Sequence, residues 1–239
     1  MKVLRAGVLG IAALLLTIEG ATAADLGGAP RRYSSVKDAP YVAPFTWSGL
    51  YVGAHVGYGW SDADWQYDLA PGISTSHDGR GGLLGGQIGY NWQAGRLVFG
   101  LEADAASSWI DGGTSCPNAA VNCGHSINWL ASLRGRLGAT INDNRTLLYV
   151  TAGGAWAEAD YAARDAMSGA LLGSFTERHF GWVAGAGIEH MLISNMTARI
   201  EYLYYGFDGV TAPAGALGAG AAALEPSVQT VRFGLNFKF

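Results

Sequence analysis

The sequence predicts an all-β fold, an up-and-down antiparallel barrel of eight strands, and three observations carry that prediction. The last ten residues alternate without a break: Val231, Phe233, Leu235, Phe237 and Phe239 are apolar, and Thr230, Arg232, Gly234, Asn236 and Lys238 stand between them. A period of two is the mark of a strand with one greasy face. Seven more alternating stretches lie between Ser48 and the terminal one. Their connections run long, short, long, short, as they do in a meander whose long loops all lie at one end.

The chain opens on "MKVLRAGVLGIAALLLTIEGATA", in which Lys2 and Arg5 precede an apolar run and small residues close at Ala21-Thr22-Ala23. That layout predicts a secretory signal peptide over 1–23. Glu19 interrupts the run and leaves it too short for a membrane anchor helix. Residues 24–46 carry Pro30, Pro40 and Pro44 without a sustained period, and read as an extended periplasmic arm. The barrel is expected over 47–239, with strands at 49–60, 82–92, 96–107, 126–140, 146–159, 179–192, 196–207 and 227–239. Tight turns fall at "QAG", "INDNR" and "ISN", and long loops at 61–81, 108–125, 160–178 and 208–226.

Composition narrows the class. Glycine is 36 of 239 residues, which could mean disorder, but Trp and Tyr recur inside the alternating stretches and argue for packed strands. A net charge of −4 with scattered cations lacks the clustered basic patch of a nucleic-acid binder. Beyond the signal no apolar window is long enough for a transmembrane helix, so any crossing must be made by strands.

A soluble barrel of the lipocalin type would also alternate, with its apolar face inside. Two features favour the membrane. Aromatics cluster near strand ends, with Tyr58, Trp60, Trp129, Trp156, Trp182 and Tyr204 toward the long loops and Tyr90, Trp92, Phe237 and Phe239 toward the short turns. Two such girdles bracketing an apolar band fit two lipid interfaces. The opposite face carries few charges, but of both signs: Glu102, Asp104, Arg134, Arg136, Glu189, Arg199, Glu201 and Arg232. Counted from the short turns, Glu102 stands level with Arg134, Glu189 with Arg199, and Glu201 with Arg232, so cross-strand ion pairs are expected in the lumen. The remaining positions on that face are largely small, which suits a narrow interior. The fold class is therefore an eight-stranded up-and-down antiparallel transmembrane β-barrel with short periplasmic turns and long outer loops.

Chemistry-bearing motifs are scarce. Cys116 and Cys123 lie close together in "SCPNAAVNCG", and an exported chain makes a local disulfide the expectation. The five histidines are scattered and no C-x-x-C occurs, so no metal and no cofactor is expected. There is no G-x-S-x-G elbow, and "VAGAGIEH" puts His190 where a nucleotide fingerprint needs its third glycine.

The stretches "FTWSGLYVGAHVGYGW", "NWQAGRLVFGLEADAA", "LRGRLGAT", "RIEYLYYGF" and "VRFGLNFKF" resemble the small outer-membrane β-barrel, porin-like surface antigens of rhizobial and related alphaproteobacteria, within the outer-membrane protein A-like barrel superfamily. The likeness covers roughly residues 45–239. It implies a cell outer-membrane location amid lipid and lipopolysaccharide, and no catalytic residues. It also implies biogenesis through periplasmic chaperones and the barrel-assembly machinery, with Phe239 as part of the signal that machinery reads. Two functions follow: a structural or surface-interaction protein with a filled lumen and four exposed loops, whose loop partner is unnamed, or a narrow or gated porin-like channel. An outer-membrane acyltransferase-like barrel is the enzyme rival; it would need a leading amphipathic helix, which the prolines of the arm oppose.

Overall fold

In a computed structural model of the chain the described residues are 45–67, 74–115, 120–212 and 222–239, and they form one antiparallel sheet closed on itself. In chain order its strands are β1 (Gly49–Tyr67), β2 (Ser74–Ala94), β3 (Leu97–Ser115), β4 (Val121–Ile141), β5 (Thr146–Asp165), β6 (Leu171–Ile193), β7 (Met196–Phe207), β8 (Val210–Ala212) and β9 (Ala222–Lys238). Each long strand pairs with the next. β9 lies between β7 and β1 and closes the ring, with Val56 opposite Phe233. β8 prolongs β7 along β9, so eight long strands make the wall. The signal segment 1–23 and the arm as far as residue 44 lie outside the described residues.

The strands are longer than their alternation suggested, and much of what read as long loop is paired backbone. β1 and β2 stay in register from Ser61↔Gly79 to Gln66↔Ser74. The β3–β4 pairing reaches Ser115↔Asn122, and β5 pairs with β6 out to Arg164↔Leu171. In the last connection, 208–226, β8 and the start of β9 pair as well. A strand needs about 9–11 residues to cross a bilayer, whereas β1 has 19 and β6 has 23. The surplus extends the backbone ladder past the span a bilayer needs; in β6 its residues from Leu171 to Arg178 are largely exposed and show no apolar alternation.

A second departure is a bulge in β4. Cys123, His125 and Ile127 face inward on odd positions, and then Leu130, Ser132, Arg134 and Arg136 face inward on even ones. The register of β4 shifts against both neighbours here. Against β5 the extra residue is Asn128, which donates its side-chain amide to Asp160 Oδ2 at 3.0 Å; against β3 the extra residue lies in β3, between Ser107 and Ile110. Bulges of this kind re-aim side chains at barrel rims.

The outer face below the bulge is a continuous apolar band, with Val52, Ile88, Leu101, Leu133, Val150, Ile200 and Phe233 all exposed. Rings border it at both ends. Trp92 stacks on Phe99 (5.8 Å) and Phe237 meets Phe239 (5.2 Å) at the short-turn end; Trp156 meets Phe180 (5.6 Å) and Trp182 meets Tyr204 (5.4 Å) at the other. Tyr58, Tyr90, Trp92, Trp156, Trp182 and Phe237 are exposed, while Trp60, Trp129 and Tyr204 are half-buried among their neighbours.

The short turns are tight. Gly95 takes φ +62 between β2 and β3. Between β4 and β5, Asn142, Asp143 and Asn144 all adopt left-handed backbone (φ 51, 52 and 65), a region that short polar side chains tolerate. Arg145 N–H donates to the Asn142 carbonyl at 3.0 Å and fastens that turn.

Candidate functional site

The interior of the barrel is filled in layers. Every second residue of each strand points inward, and a ring of eight strands leaves room for those side chains and little more. The middle layer holds four carboxylates, Glu102, Asp104, Glu189 and Glu201, and four guanidiniums, Arg134, Arg136, Arg199 and Arg232, each no more than 6 % exposed. The layer is electrically neutral as a whole.

Glu102 is its hub. Its Oε1 accepts from Arg134 Nη2 (2.6 Å), and its Oε2 meets Arg199 Nη1 (2.5 Å) and Arg136 Nη1 (3.4 Å). The Tyr51 hydroxyl also donates to Oε2, at 2.6 Å. Asp104 takes Arg232 at 2.7 Å and Arg134 at 3.1 Å, and accepts a short bond from Ser132. Glu189 takes Arg136 at 2.7 Å, together with Thr197 (2.5 Å) and the Asn236 amide (2.8 Å). Glu201 accepts from the Tyr149 hydroxyl (3.0 Å) and lies 3.1 Å from Arg134. Arg136 is sandwiched by rings, 4.0 Å from the Tyr149 centroid and 5.6 Å from that of Tyr51. Buried charges persist when they are paired and hydrogen-bonded in this way.

Register and contact diverge here. Glu102 lies opposite Arg134 and touches it. Glu189 lies opposite Arg199, and Glu201 opposite Arg232, but those arginines engage carboxylates elsewhere: Arg199 reaches Glu102, Arg232 reaches Asp104, and Glu189 is met by Arg136. In so narrow a barrel an arginine side chain spans the lumen, so the best-placed carboxylate need not be on the adjacent strand.

Apolar layers lie on both sides of the charges. Toward the long hairpins Ile110, Ile127, Leu130, Val183, Leu203 and Phe207 pack together. Toward the short turns Trp47, fully buried, sits with Val98, Leu147 and Tyr149. Trp47 is tethered as well as packed: its indole N–H donates to the Asn144 carbonyl and its backbone N–H to Gln93 Oε1, both at 2.8 Å. Lys238 Nζ donates to the carbonyls of Thr46 and Ser48 and stands 4.8 Å over the Phe45 ring.

Alternation alone did not single out Trp47, Tyr51, Tyr149, Tyr205, Gln87 or Asn236. A signal was present for two of them. Tyr51 lies opposite Gly89 and Tyr149 opposite Gly187. A Cβ on Gly89 would collide with the Tyr51 ring, and one on Gly187 would stand 2.5 Å from Tyr149. A glycine facing a tyrosine on the inner face marks a ring lying flat against the wall.

The other expected positions fall as follows. Cys123, near the outer end of β4, is disulfide-bonded; Cys116 lies outside the described residues. The Phe239 N–H donates to the Leu50 carbonyl at 3.0 Å, joining the last residue to β1, and its ring is exposed. Near the outer rim Ser61 Oγ and His125 Nε2 are 3.0 Å apart, and the Tyr161 hydroxyl is 3.0 Å from His179 Nε2. These four residues line a cavity of about 20 Å³ that is otherwise apolar. That space is large enough for one water.

Comparison with known proteins gives a consistent result. Residues 39–239 match the family described as the outer membrane protein beta-barrel domain. The chain is 31 % identical over 221 residues to the 31 kDa outer-membrane immunogenic protein of Brucella melitensis biotype 1, covering 86 % of this chain and 90 % of that one. It is 31 % identical to the 25 kDa outer-membrane immunogenic protein of Brucella canis and 29 % identical to the 22 kDa outer membrane protein of Rhizobium leguminosarum bv. viciae, over the full length of both chains in each case.

Proposed function

This chain belongs to the outer membrane protein beta-barrel domain family, and on that footing we propose that it is a structural and surface-interaction protein of the outer membrane. In this reading the barrel is an anchor that holds its outer hairpins toward the environment. The observation that carries it is the filled lumen: eight buried charges that neutralise one another, with an apolar layer above them and Trp47 below. A diffusion pore needs an aqueous path, and a lumen packed in this way argues against the channel alternative. The names of the Brucella relatives, immunogenic outer-membrane proteins, support a surface that other molecules meet.

A catalytic role is not part of the proposal. The Ser61–His125 contact pairs a nucleophile type with a base type, but the adjoining cavity admits a water and no acyl or peptide substrate. The partners we assign are lipid and lipopolysaccharide around the apolar band. During biogenesis we add periplasmic chaperones and the barrel-assembly machinery, the latter reading the strand that ends at Phe239.

Two measurements on the folded chain test the reading. Planar bilayers should show no steady conductance, and a label at Met167, fully exposed at the tip between β5 and β6, should be reached by an impermeant reagent on intact cells. Steady conductance, or a shielded Met167, would sink it.

A further inference from the structure

Above the apolar band the wall of the barrel, among the described residues, opens on one side. β6 pairs with β7 only from Gly181 inward, and the outermost link is Asp208 N–H donating to the Phe180 carbonyl at 2.9 Å. There the chain leaves β6, because β8 follows β9, with Val210 opposite Leu224. β6 continues outward to Leu171, held from the β5 side alone by pairs that include His179↔Ala157 and Gly173↔Ala163. Backbone N–H and C=O groups alternate sides along an antiparallel strand. Residues in phase with Phe180, namely Arg178, Thr176 and Ser174, therefore turn theirs away from β5. Among the described residues no strand takes them up, and all three are exposed.

This edge is stiffened from its bonded side. Thr176 Oγ1 donates to Asp160 Oδ1 at 2.5 Å, Arg178 Nε to Glu158 Oε2 at 3.1 Å, and Phe175 stacks on Tyr161 at 5.0 Å. At the tip the Asp165 carboxylate accepts the N–H groups of Ser168 (2.7 Å) and Met167 (3.1 Å) and sets the turn. Met167, Leu171 and Leu172 are exposed beside it.

We propose that the outer half of β6 is a docking edge for an extended segment of a second polypeptide, which adds to it as an antiparallel strand. A row of outward-facing donors and acceptors two residues apart matches another extended backbone and little else. The Arg178 side chain gives its Nε to Glu158 but is 81 % exposed, so its other guanidinium N–H groups stand in water for an acidic residue of the segment, whose end meets the apolar tip. A second copy in the same membrane stands the same way up and brings its own β6 alongside in parallel, the weaker pairing. The proposal rests on the surface-interaction reading and says where on the outer surface it acts.

The test uses the full chain folded in lipid nanodiscs. Amide hydrogen exchange should be fast at Ser174, Thr176 and Arg178 and slow at Phe175 and Glu177, which bond to β5. Protection of all five would mean that the edge is already covered, by residues 213–221 or by a second copy, and would overturn the docking edge while leaving the surface role standing. The binding probe is a fluorescent synthetic peptide of sequence AEADYAARD. It copies Ala157–Asp165, which pairs with the opposite edge of β6 and sets Glu158 against Arg178. Saturable binding is expected, with new protection at the three free amides. Thr176→Pro removes an N–H that faces outward and keeps the β5 ladder, so it should weaken binding at least tenfold with unchanged heat-modifiability. Thr176→Val, which loses only the hydroxyl, should bind like the native chain. No saturable binding to the native chain, or equal binding by Thr176→Pro, overturns the proposal; conductance or a shielded Met167 would instead overturn the reading beneath it.

Discussion

Replacing Arg134 with leucine should destabilise the barrel more than replacing Arg134 and Glu102 together. Arg134 lies 2.6 Å from Glu102 and 3.1 Å from both Asp104 and Glu201, and its side chain is wholly buried. A charge pair about 4 Å apart at an effective dielectric near 20 interacts by about 4 kcal/mol before desolvation is counted. Desolvation offsets much of that, and breaking a buried pair from one side costs about 3–5 kcal/mol net. Arg134→Leu leaves the layer with one carboxylate in excess. Adding Glu102→Leu restores neutrality, with Arg136 still on Glu189, Arg232 still on Asp104 and Arg199 left to Glu201 at 3.9 Å, so the double variant should recover about 1–3 kcal/mol of coupling. The assay is reversible urea unfolding in lipid vesicles, followed by tryptophan fluorescence and gel heat-modifiability across the four-member cycle. Strict additivity would refute the argument, because it would mean that the two charges do not sense one another.

Other outcomes are expected elsewhere in the molecule. Leu101 is outward and exposed in the apolar band, so Leu101→Arg should cost about 2–4 kcal/mol if it lies near mid-bilayer; the same unfolding experiment reads it, and tolerance would displace the membrane band. Removing Phe239 deletes the N–H that joins the Leu50 carbonyl along with the terminal ring, and should sharply lower folded protein in the outer-membrane fraction, whereas normal levels would deny the terminus a role in assembly. Reducing the Cys123 disulfide should leave the membrane band intact and cost no more than about 2–3 kcal/mol, since the expected bridge to Cys116 closes a short ring that constrains little chain; loss of heat-modifiability on reduction would contradict this. Bonds from Ser168 hold the Asp165 carboxyl below the usual aspartate range, so order in the β5–β6 turn is full above that range and lost as pH falls through and below it; Asp165→Asn should abolish the pH dependence of amide protection at Ser168, the exchange rate taken relative to that of the unstructured chain at each pH.

The parts of the fold that were legible in the sequence are those where one face of a strand meets lipid. There alternation is forced, and β7 shows it, its predicted 196–207 coinciding with Met196–Phe207. Beyond the apolar band β6 before His179 is largely exposed and pairs without leaving a hydrophobic trace, and β1 beyond Trp60 alternates again in Ala63, Trp65 and Tyr67 but on the parity opposite to the outward Tyr58 and Trp60. The β4 bulge escaped for a related reason: a single added residue reverses the inner parity, and nothing in "SINWLAS" announces it. In the lumen, parity placed the charges on the inner face but could not choose their partners, because that choice depends on the barrel's diameter and on the reach of arginine. Trp47 was invisible since it precedes the first strand and has no period to belong to.

Trp47 also ties its own burial to the closing of the barrel. Its indole is fastened to Asn144, a residue 97 positions later, and rests on Val98 and Leu147 from two further strands. Lys238, the penultimate residue of the chain, reaches the carbonyls on either side of it. The seat therefore does not exist while the polypeptide is emerging, and it comes into being only when first and last strands have met. Until then the ring has no apolar seat and stays accessible to water. Once seated the ring is fully buried, so the burial of one tryptophan reports that the barrel has closed.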